Sequence, residues 1–254
     1  GAVHGNFGLS FSYYPTPVAE LLGQSLPYTL ALQLPAIILG WIIGNTLGAV
    51  AAYKGGMWDK SVFTTSLLFN STPYYALSII LLYTLAVVAG IFPVGGAYSL
   101  GMSPEWSWDF ISDALQYWWL PFLSLLLINI GGQAVGMRSM AIYELGSDYV
   151  NYSRSLGIGD RKMTTYIFRN AMLLIIAGFP GAFVHAFFSG SLLIETIFSL
   201  DGLGLLGFEA AINRDYPVMF GTLYFFTLLG LLTKLVEDIT YVLVDPRIDF
   251  ERRE

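Results

Sequence analysis

The sequence predicts an all-α fold, a polytopic bundle of transmembrane helices, from its composition and from the spacing of its charges. Hydrophobic residues make up 55% of the 254 positions, charged residues 12%, and the mean hydropathy is +0.62. A typical soluble domain carries about 25% charged residues. Five stretches of 18 to 44 residues that are bounded by charged residues on both sides contain no Asp, Glu, Lys or Arg. Since about 20 apolar residues cross the hydrocarbon core of a bilayer, each stretch can hold one span.

Each span is placed on one charge-free stretch, with its ends near the flanking charges. The first stretch lies between Glu20 and Lys54, and the second follows Lys60. The third ends at Arg138, the fourth begins after Arg169, and the fifth precedes the basic C-terminus. The five spans are therefore expected at about residues 28–53, 62–91, 117–138, 171–198 and 217–243.

The basic residues predict the orientation of the spans. Ten of the twelve Lys and Arg residues lie in or beside the segments after the first, third and fifth spans; Lys234 lies in the fifth span, and Arg214 alone falls on the other side. Cytoplasmic segments of membrane proteins are enriched in Lys and Arg. The expected organisation is an extracytoplasmic segment at 1–27, a transmembrane domain at 28–243 with a cytoplasmic loop at 139–170, and a cytoplasmic tail at 244–254.

Within the first span, small residues recur at a helical spacing. Gly40, Gly44 and Gly48 are four residues apart and share one helix face. Such a face lets two membrane helices approach closely. We expect these glycines to pack against another helix of the same chain, with a subunit interface as the alternative.

Several chemistries have no support in the sequence. The chain has no cysteine and only two histidines, His4 and His185, and it lacks the glycine-rich phosphate loop of nucleotide-binding proteins. Its net charge of −6 provides no basic face for nucleic acid. We therefore expect no catalytic residue, metal or cofactor in this chain. Lys234 and Asp238 are expected to pair on one helix face, although an ion-coupled carrier or channel stays open as the alternative function.

The cytoplasmic loop 139–170 is the most informative segment. Its pattern predicts a short helix from about Ser147 to Leu156, a stop at Gly157, and a second helix that leads into the membrane. A helical hairpin at the membrane surface can dock a cytoplasmic partner. A plain surface loop is the alternative.

Three short motifs lie in this loop and at its end: Asp148-Tyr149-Val150, Ser153-Arg154-Ser155-Leu156-Gly157 and Arg169-Asn170-Ala171. They resemble the DYVRTARAKG and RNAL signature of the permease subunits of ABC importers of the dipeptide and oligopeptide type. The family's EAA loop has a glycine followed ten residues later by isoleucine, as Gly157 and Ile167 are. Further similar segments begin at Gly5, Phe92, Gly190, Gly202, Arg214 and Asp245. The tail is similar to the branch that includes microcin and peptide importers.

The resemblance has departures as well. Asn151-Tyr152-Ser153 stands where the broad consensus has Glu-Ala-Ala. The family normally has six spans, of which the first precedes the Gly5–Ser10 segment, so that helix is expected before residue 1.

The resemblance implies a transport subunit rather than an enzyme, in the inner membrane of a prokaryote. Its implied partners are a second homologous permease, two cytoplasmic ATPase subunits that carry ATP and Mg²⁺, an extracytoplasmic substrate-binding protein and the lipid bilayer. The implied cargo is a short peptide, an oligosaccharide or a metal chelate. The residues expected to couple the chain to the ATPases are Asp148, Tyr149, Ser153, Arg154, Gly157, Ile167 and Arg169.

Two further sites are expected at the ends of the last spans. Residues 200–217 and Glu195 are predicted to form an outer gate, in which Gly202 and Gly204 allow close backbone approach and Arg214 and Asp215 supply charge. An ion pair of Arg214 with Asp215 or Asp201 is the alternative role for that arginine. The fifth span is expected to end near Val244, because proline does not continue a helix. The residues expected to anchor this end are Asp245, Pro246 and Arg247.

Overall fold

The computed structural model describes residues 6–244, apart from the side chains of Arg161, Leu174, Ala177, Ala182, residues 185–191, Tyr241 and Val244. Every regular element in this range is helical, as the sequence predicts. The elements are α1 (Val18–Lys54), α2 (Gly56–Ser71), α3 (Tyr74–Leu81), a π-helical segment (Leu82–Val88), α4 (Trp108–Leu145), α5 (Asp148–Ser155), α6 (Asp160–Phe198), α7 (Leu203–Ile212) and α8 (Tyr216–Val244).

The predicted spans correspond to these helices, with one difference. Among the described residues, three helices are long and apolar enough to cross a bilayer, namely α1, α4 and the 216–240 part of α8. The predicted span 171–198 falls within α6. The predicted span 62–91 is not one helix: α2 ends at Ser71, and a new helix starts at Tyr74. Counted as one broken span, the pair is a fourth candidate.

The break in the second span has a local cause. Thr72 is extended, with φ −83° and ψ 126°, and the next residue is Pro73. The proline ring clashes with a helical conformation of the residue before it, which pushes that residue into the extended region. Pro73 therefore ends α2 and begins α3, and hydropathy alone does not reveal such a break.

The chain divides into two compact units, and the first comprises the described parts of 1–37, 73–126 and 185–230. Its larger apolar cluster contains Leu32, Leu120 and Ile194, each at most 1% exposed. A second cluster joins Val18 at the start of α1 to Leu203 of α7 and Val218 of α8. These contacts fix the ends of three helices against one another, around the segment predicted as the outer gate.

The second unit comprises 38–72, 127–184 and the described part of 231–254. Here Gly40, Gly44 and Gly48 face α4. A Cβ at Gly44 would lie 2.6 Å from Cβ of Gln133, and at Gly40 and Gly48 it would collide with Asn129 and Ala134. The three glycines thus pack against a helix of the same chain.

Two groups of ion pairs also lie in the second unit. Arg138 binds Asp59 through two bonds of 2.6 and 2.7 Å, and its guanidinium lies 4.3 Å from the centre of the Phe63 ring. Lys234 contacts Glu237 at 3.2 Å and Asp238 at 3.5 Å. The predicted pairing of Lys234 with Asp238 is confirmed.

Candidate functional site

The predicted hairpin is present in the second unit as α5 and the start of α6. Ser147 is the N-cap of α5, Leu156 is its C-cap, and Gly157 has φ +72°. The amide of Ile158 donates to the carbonyl of Ser153 at 3.2 Å. A hydrogen bond from an amide to the carbonyl five residues earlier is typical of a helix that ends on a glycine in the left-handed conformation. The short helix and its stop, predicted from the sequence, are confirmed.

A buried cluster holds the hairpin in place. Val150 of α5 is fully buried and packs with Ala141 of α4 and with Met163 and Ile167 of α6. Ile167, at 3% exposure, is therefore a packing residue of the hairpin and not part of its surface. Half-buried Tyr149 donates its hydroxyl to Glu144 at 2.7 Å. Ile167 and Tyr149 therefore help to hold the hairpin in place and contribute little to its exposed surface.

The exposed face of the hairpin carries the remaining predicted coupling residues. Asp148, Arg154, Gly157 and Arg169 are exposed, and Ser153 is half-buried. This face also carries two apolar side chains that the sequence analysis missed, Tyr152 and Leu156, which are 67% and 61% exposed. Their spacing of four residues in a short polar helix is a signal that could have revealed them, because it places both on one face.

The predicted gate is organised around one carboxylate in the first unit. Glu195 is fully buried near the end of α6. It accepts hydrogen bonds from the amides of Gly204 and Leu205 at 2.7 and 3.1 Å and from the hydroxyl of Thr29 at 2.7 Å. The amides belong to the first turn of α7, whose donors have no partner within the helix. Glu195 therefore caps α7 from outside, where a negative charge is also favoured by the helix dipole.

Thr29 completes this cap, and the sequence analysis did not single it out. Its hydroxyl oxygen accepts from the amide of Leu203 at 2.8 Å while the hydroxyl donates to Glu195. A Cβ added to Gly202 would overlap the Glu195 carboxylate. A side chain at position 202 would thus displace the cap, which explains the glycine there. Gly204 supplies one of the capping amides.

Asp215 forms a second polar junction in the first unit. It is 1% exposed and accepts hydrogen bonds from the hydroxyl of Ser10, the amide of Ser12 at 2.9 Å and the amide of Val218 at 3.4 Å. Burial alone would raise the pKa of Asp215, but these hydrogen bonds outweigh it and hold the pKa below its ordinary value. Asp215 thus caps α8 and ties the N-terminal segment to it.

Arg214 does not take part in this junction. It has φ +58°, its side chain is exposed, and it makes no ion pair with any residue that the structure describes. The ion pair with Asp215 or Asp201, expected as an alternative, is therefore wrong, because the Asp215 carboxylate is occupied by the N-terminal segment. The predicted anchor residues Asp245, Pro246 and Arg247 lie outside the described residues.

This chain is similar to known proteins over most of its length, and it matches one protein family. Residues 44–250 match the family described as binding-protein-dependent transport system inner membrane component. The chain is 40% identical over 240 residues to the inner membrane ABC transporter permease protein YejB of Escherichia coli O157:H7, covering 93% of this chain and 66% of that protein. It is 38% identical to the peptidoglycan transport system permease protein YejB of Agrobacterium fabrum (98% and 69% covered). It is 33% identical to the oligopeptide transport system permease protein AppB of Bacillus subtilis (98% and 77% covered).

The chain thus spans about two thirds of the length of the first two relatives. The family match covers both the hairpin of α5 and α6 and the capped α7 region. Together with the helical, apolar fold, it shows that this chain belongs to the family of binding-protein-dependent transport system inner membrane components.

Proposed function

We propose that the chain is a permease subunit of an ATP-driven importer of short peptides. The observation that carries this proposal is the family match over residues 44–250, which includes the exposed hairpin. Relatives at 33 to 40% identity are named for ABC, oligopeptide or peptidoglycan transport. Peptide is the chemical component that the last two cargo names have in common, so we favour a peptide over an oligosaccharide.

The exposed face of α5 is the proposed contact with an ATPase subunit. Tyr152 and Leu156 supply apolar area there, and Arg154 and Asp148 supply charge beside it. The buried Val150 and Ile167 hold this face rigidly against α4 and α6, which would transmit a movement of the ATPase to those helices. ATP and Mg²⁺ would bind to the ATPase, because the sequence has no phosphate-binding loop.

The positions of the other proposed subunits follow from the orientation of this chain in the membrane. The surplus of basic residues supports a cytoplasmic position for the hairpin and the C-terminus, so the α7 region would face outward. There it would meet a substrate-binding protein, while a second, homologous permease completes the translocation path and a second ATPase serves that subunit. Residues 244–254 would then form the cytoplasmic tail.

An uptake assay tests the source of energy. The complex that co-purifies with this chain in mild detergent is placed in proteoliposomes with ATP inside, and uptake of labelled trialanine is followed. We expect uptake that vanadate abolishes and a protonophore leaves unchanged. Uptake that follows a proton gradient without ATP would instead support an ion-coupled carrier and contradict the proposal.

A pair of variants tests the docking face. Tyr152→Ser should weaken retention of the ATPase and reduce uptake severalfold, since it removes apolar contact area. Tyr143→Ser makes the same change at an exposed tyrosine of α4, outside α5; it is the matched control and should behave like the wild type. Equal ATPase retention in both variants would show that α5 does not form the contact.

A further inference from the structure

A cavity of about 440 Å³ lies in the first unit, beside the capped end of α7. Its lining includes Gln24, Ser25 and Tyr28 from one face of α1 and the carboxylates Asp201 and Glu209. Tyr13 of the N-terminal segment also lines it. This volume is within the range of roughly 300–1,000 Å³ that small-molecule sites occupy. It admits one end of a short peptide but not a folded partner.

The cavity is electrostatically negative. Its lining contains two carboxylates, Asp201 and Glu209, and no Lys, Arg or His among the described residues. The hydroxyl of Tyr13 lies 3.3 Å from a carboxylate oxygen of Glu209. Burial and the nearby charges of Glu209, Asp201 and Asp215 raise the pKa of Tyr13, which is the response expected in a negative field.

The lining also offers hydrogen-bond acceptors without a donor. Ser25 is 8% exposed, and its hydroxyl makes no hydrogen bond with any described residue although it lines the cavity. Gln24 donates its amide nitrogen to Glu20 at 3.3 Å, which leaves its amide oxygen as an acceptor. The Ser25 hydroxyl is therefore open to the cavity and can accept a hydrogen bond from a donor that enters it.

We propose that this cavity binds a primary ammonium group, the amino end of a transported peptide, with Asp201 and Glu209 as counter-charges. An ammonium group has three donors and no acceptor, which matches the carboxylates and the oxygens of Ser25 and Gln24. The aromatic side chains of Tyr13 and Tyr28 also favour a cation. This inference rests on the proposed peptide import, and it adds that the permease itself recognises charge.

The experiment uses the absence of cysteine in this chain. Ser25→Cys, nearly isosteric, places one thiol in the cavity of the purified importer complex in nanodiscs. Intact mass of this chain then reports its reaction with a cationic and an anionic methanethiosulfonate reagent of similar size. Ser103→Cys, on an exposed loop, is the control: it gives the ratio of the cationic to the anionic reaction rate for a thiol outside the cavity. We expect the ratio of cationic to anionic labelling rates at position 25 to be roughly tenfold higher than the ratio at position 103.

Two further measurements identify the cause and the ligand. The double change Asp201→Asn and Glu209→Gln, added to Ser25→Cys, should remove most of the cationic preference. Trialanine should slow the labelling, whereas N-acetylated trialanine, which lacks the ammonium group, should not.

Equal rate ratios at positions 25 and 103 would overturn the cation site. Equal protection by both peptides, or protection by the substrate-binding protein alone, would overturn its assignment to the peptide amino end. Failure of the proposed function has a different signature, since the wild-type complex would then take up no trialanine whatever the rate ratio at position 25.

Discussion

Removal of the buried Glu195 carboxylate tests the central feature of the α7 region. In Glu195→Ala, the amides of Gly204 and Leu205 and the hydroxyl of Thr29 lose their acceptor. All of these groups lie in a buried or half-buried environment, where a polar group without its partner costs stability. Of the described hydrogen bonds from other elements to the first turn of α7, only the one from the Leu203 amide to Thr29 would remain, beside the apolar contacts of Leu203.

The magnitude follows from the number of bonds lost. A hydrogen bond to a charged group contributes about 1.5–3 kcal/mol, and the two amide bonds to Glu195 therefore contribute about 3–6 kcal/mol. Because the variant no longer buries a charge, part of this loss is offset, and we expect a net destabilisation of about 3 kcal/mol. Glu195→Gln keeps one acceptor oxygen but not the charge, and about half that loss is expected.

Thermal unfolding in detergent, followed by intrinsic tryptophan fluorescence, measures this effect. At about 2–4 °C per kcal/mol for a chain of this size, Glu195→Ala should lower the unfolding temperature by about 6–12 °C. Glu105→Ala removes the same charge from an exposed loop and is the matched control, with no expected change. If Glu195→Ala unfolds at the wild-type temperature, the carboxylate does not hold α7 and our interpretation of this region is wrong.

Three other changes test the glycines and the acid response. Gly48→Ala should cost about 1–3 kcal/mol because its Cβ would collide with Ala134, whereas Gly23→Ala, with nothing within 4 Å, should leave the unfolding temperature unchanged or raise it slightly. Gly157→Val should lower the amount of peptide transported per ATP hydrolysed, because φ +72° is unfavourable for valine. Gly159→Val, at a glycine without positive φ, is the control and should not lower it. An equal transport-to-ATP ratio in both variants would show that the loop is only a spacer. Since the folded-state pKa of Asp215 is lowered, its stabilisation is complete above about pH 4 and is lost as the pH falls through that lower pKa. Asp215→Asn should therefore lose less stability than the wild type in unfolding experiments below about pH 4, and identical acid profiles would contradict this role.

The sequence predicted those features that depend on residues close together along the chain. The charge-free stretches placed the helices, and the glycine spacing at 40, 44 and 48 placed a close helix contact. Gly157 predicted the end of α5, because a left-handed residue at a helix end is a local signal. The break at Pro73 also has a local cause, but hydropathy continues across it, so the span predicted at 62–91 gave no sign of the break.

The tertiary structure alone decided which residues build the α7 region and which hold the hairpin. Thr29 and Glu195 are 166 positions apart, and Ser10 and Asp215 are 205 apart, so no spacing rule relates them. Ile167 looked like a docking residue in the motif, yet its side chain is in the core of the hairpin. Burial and long-range hydrogen bonds depend on how distant helices pack. An apolar stretch in a bilayer, by contrast, becomes a helix because its backbone must satisfy its own hydrogen bonds, and this depends on local composition that can be read from the sequence alone.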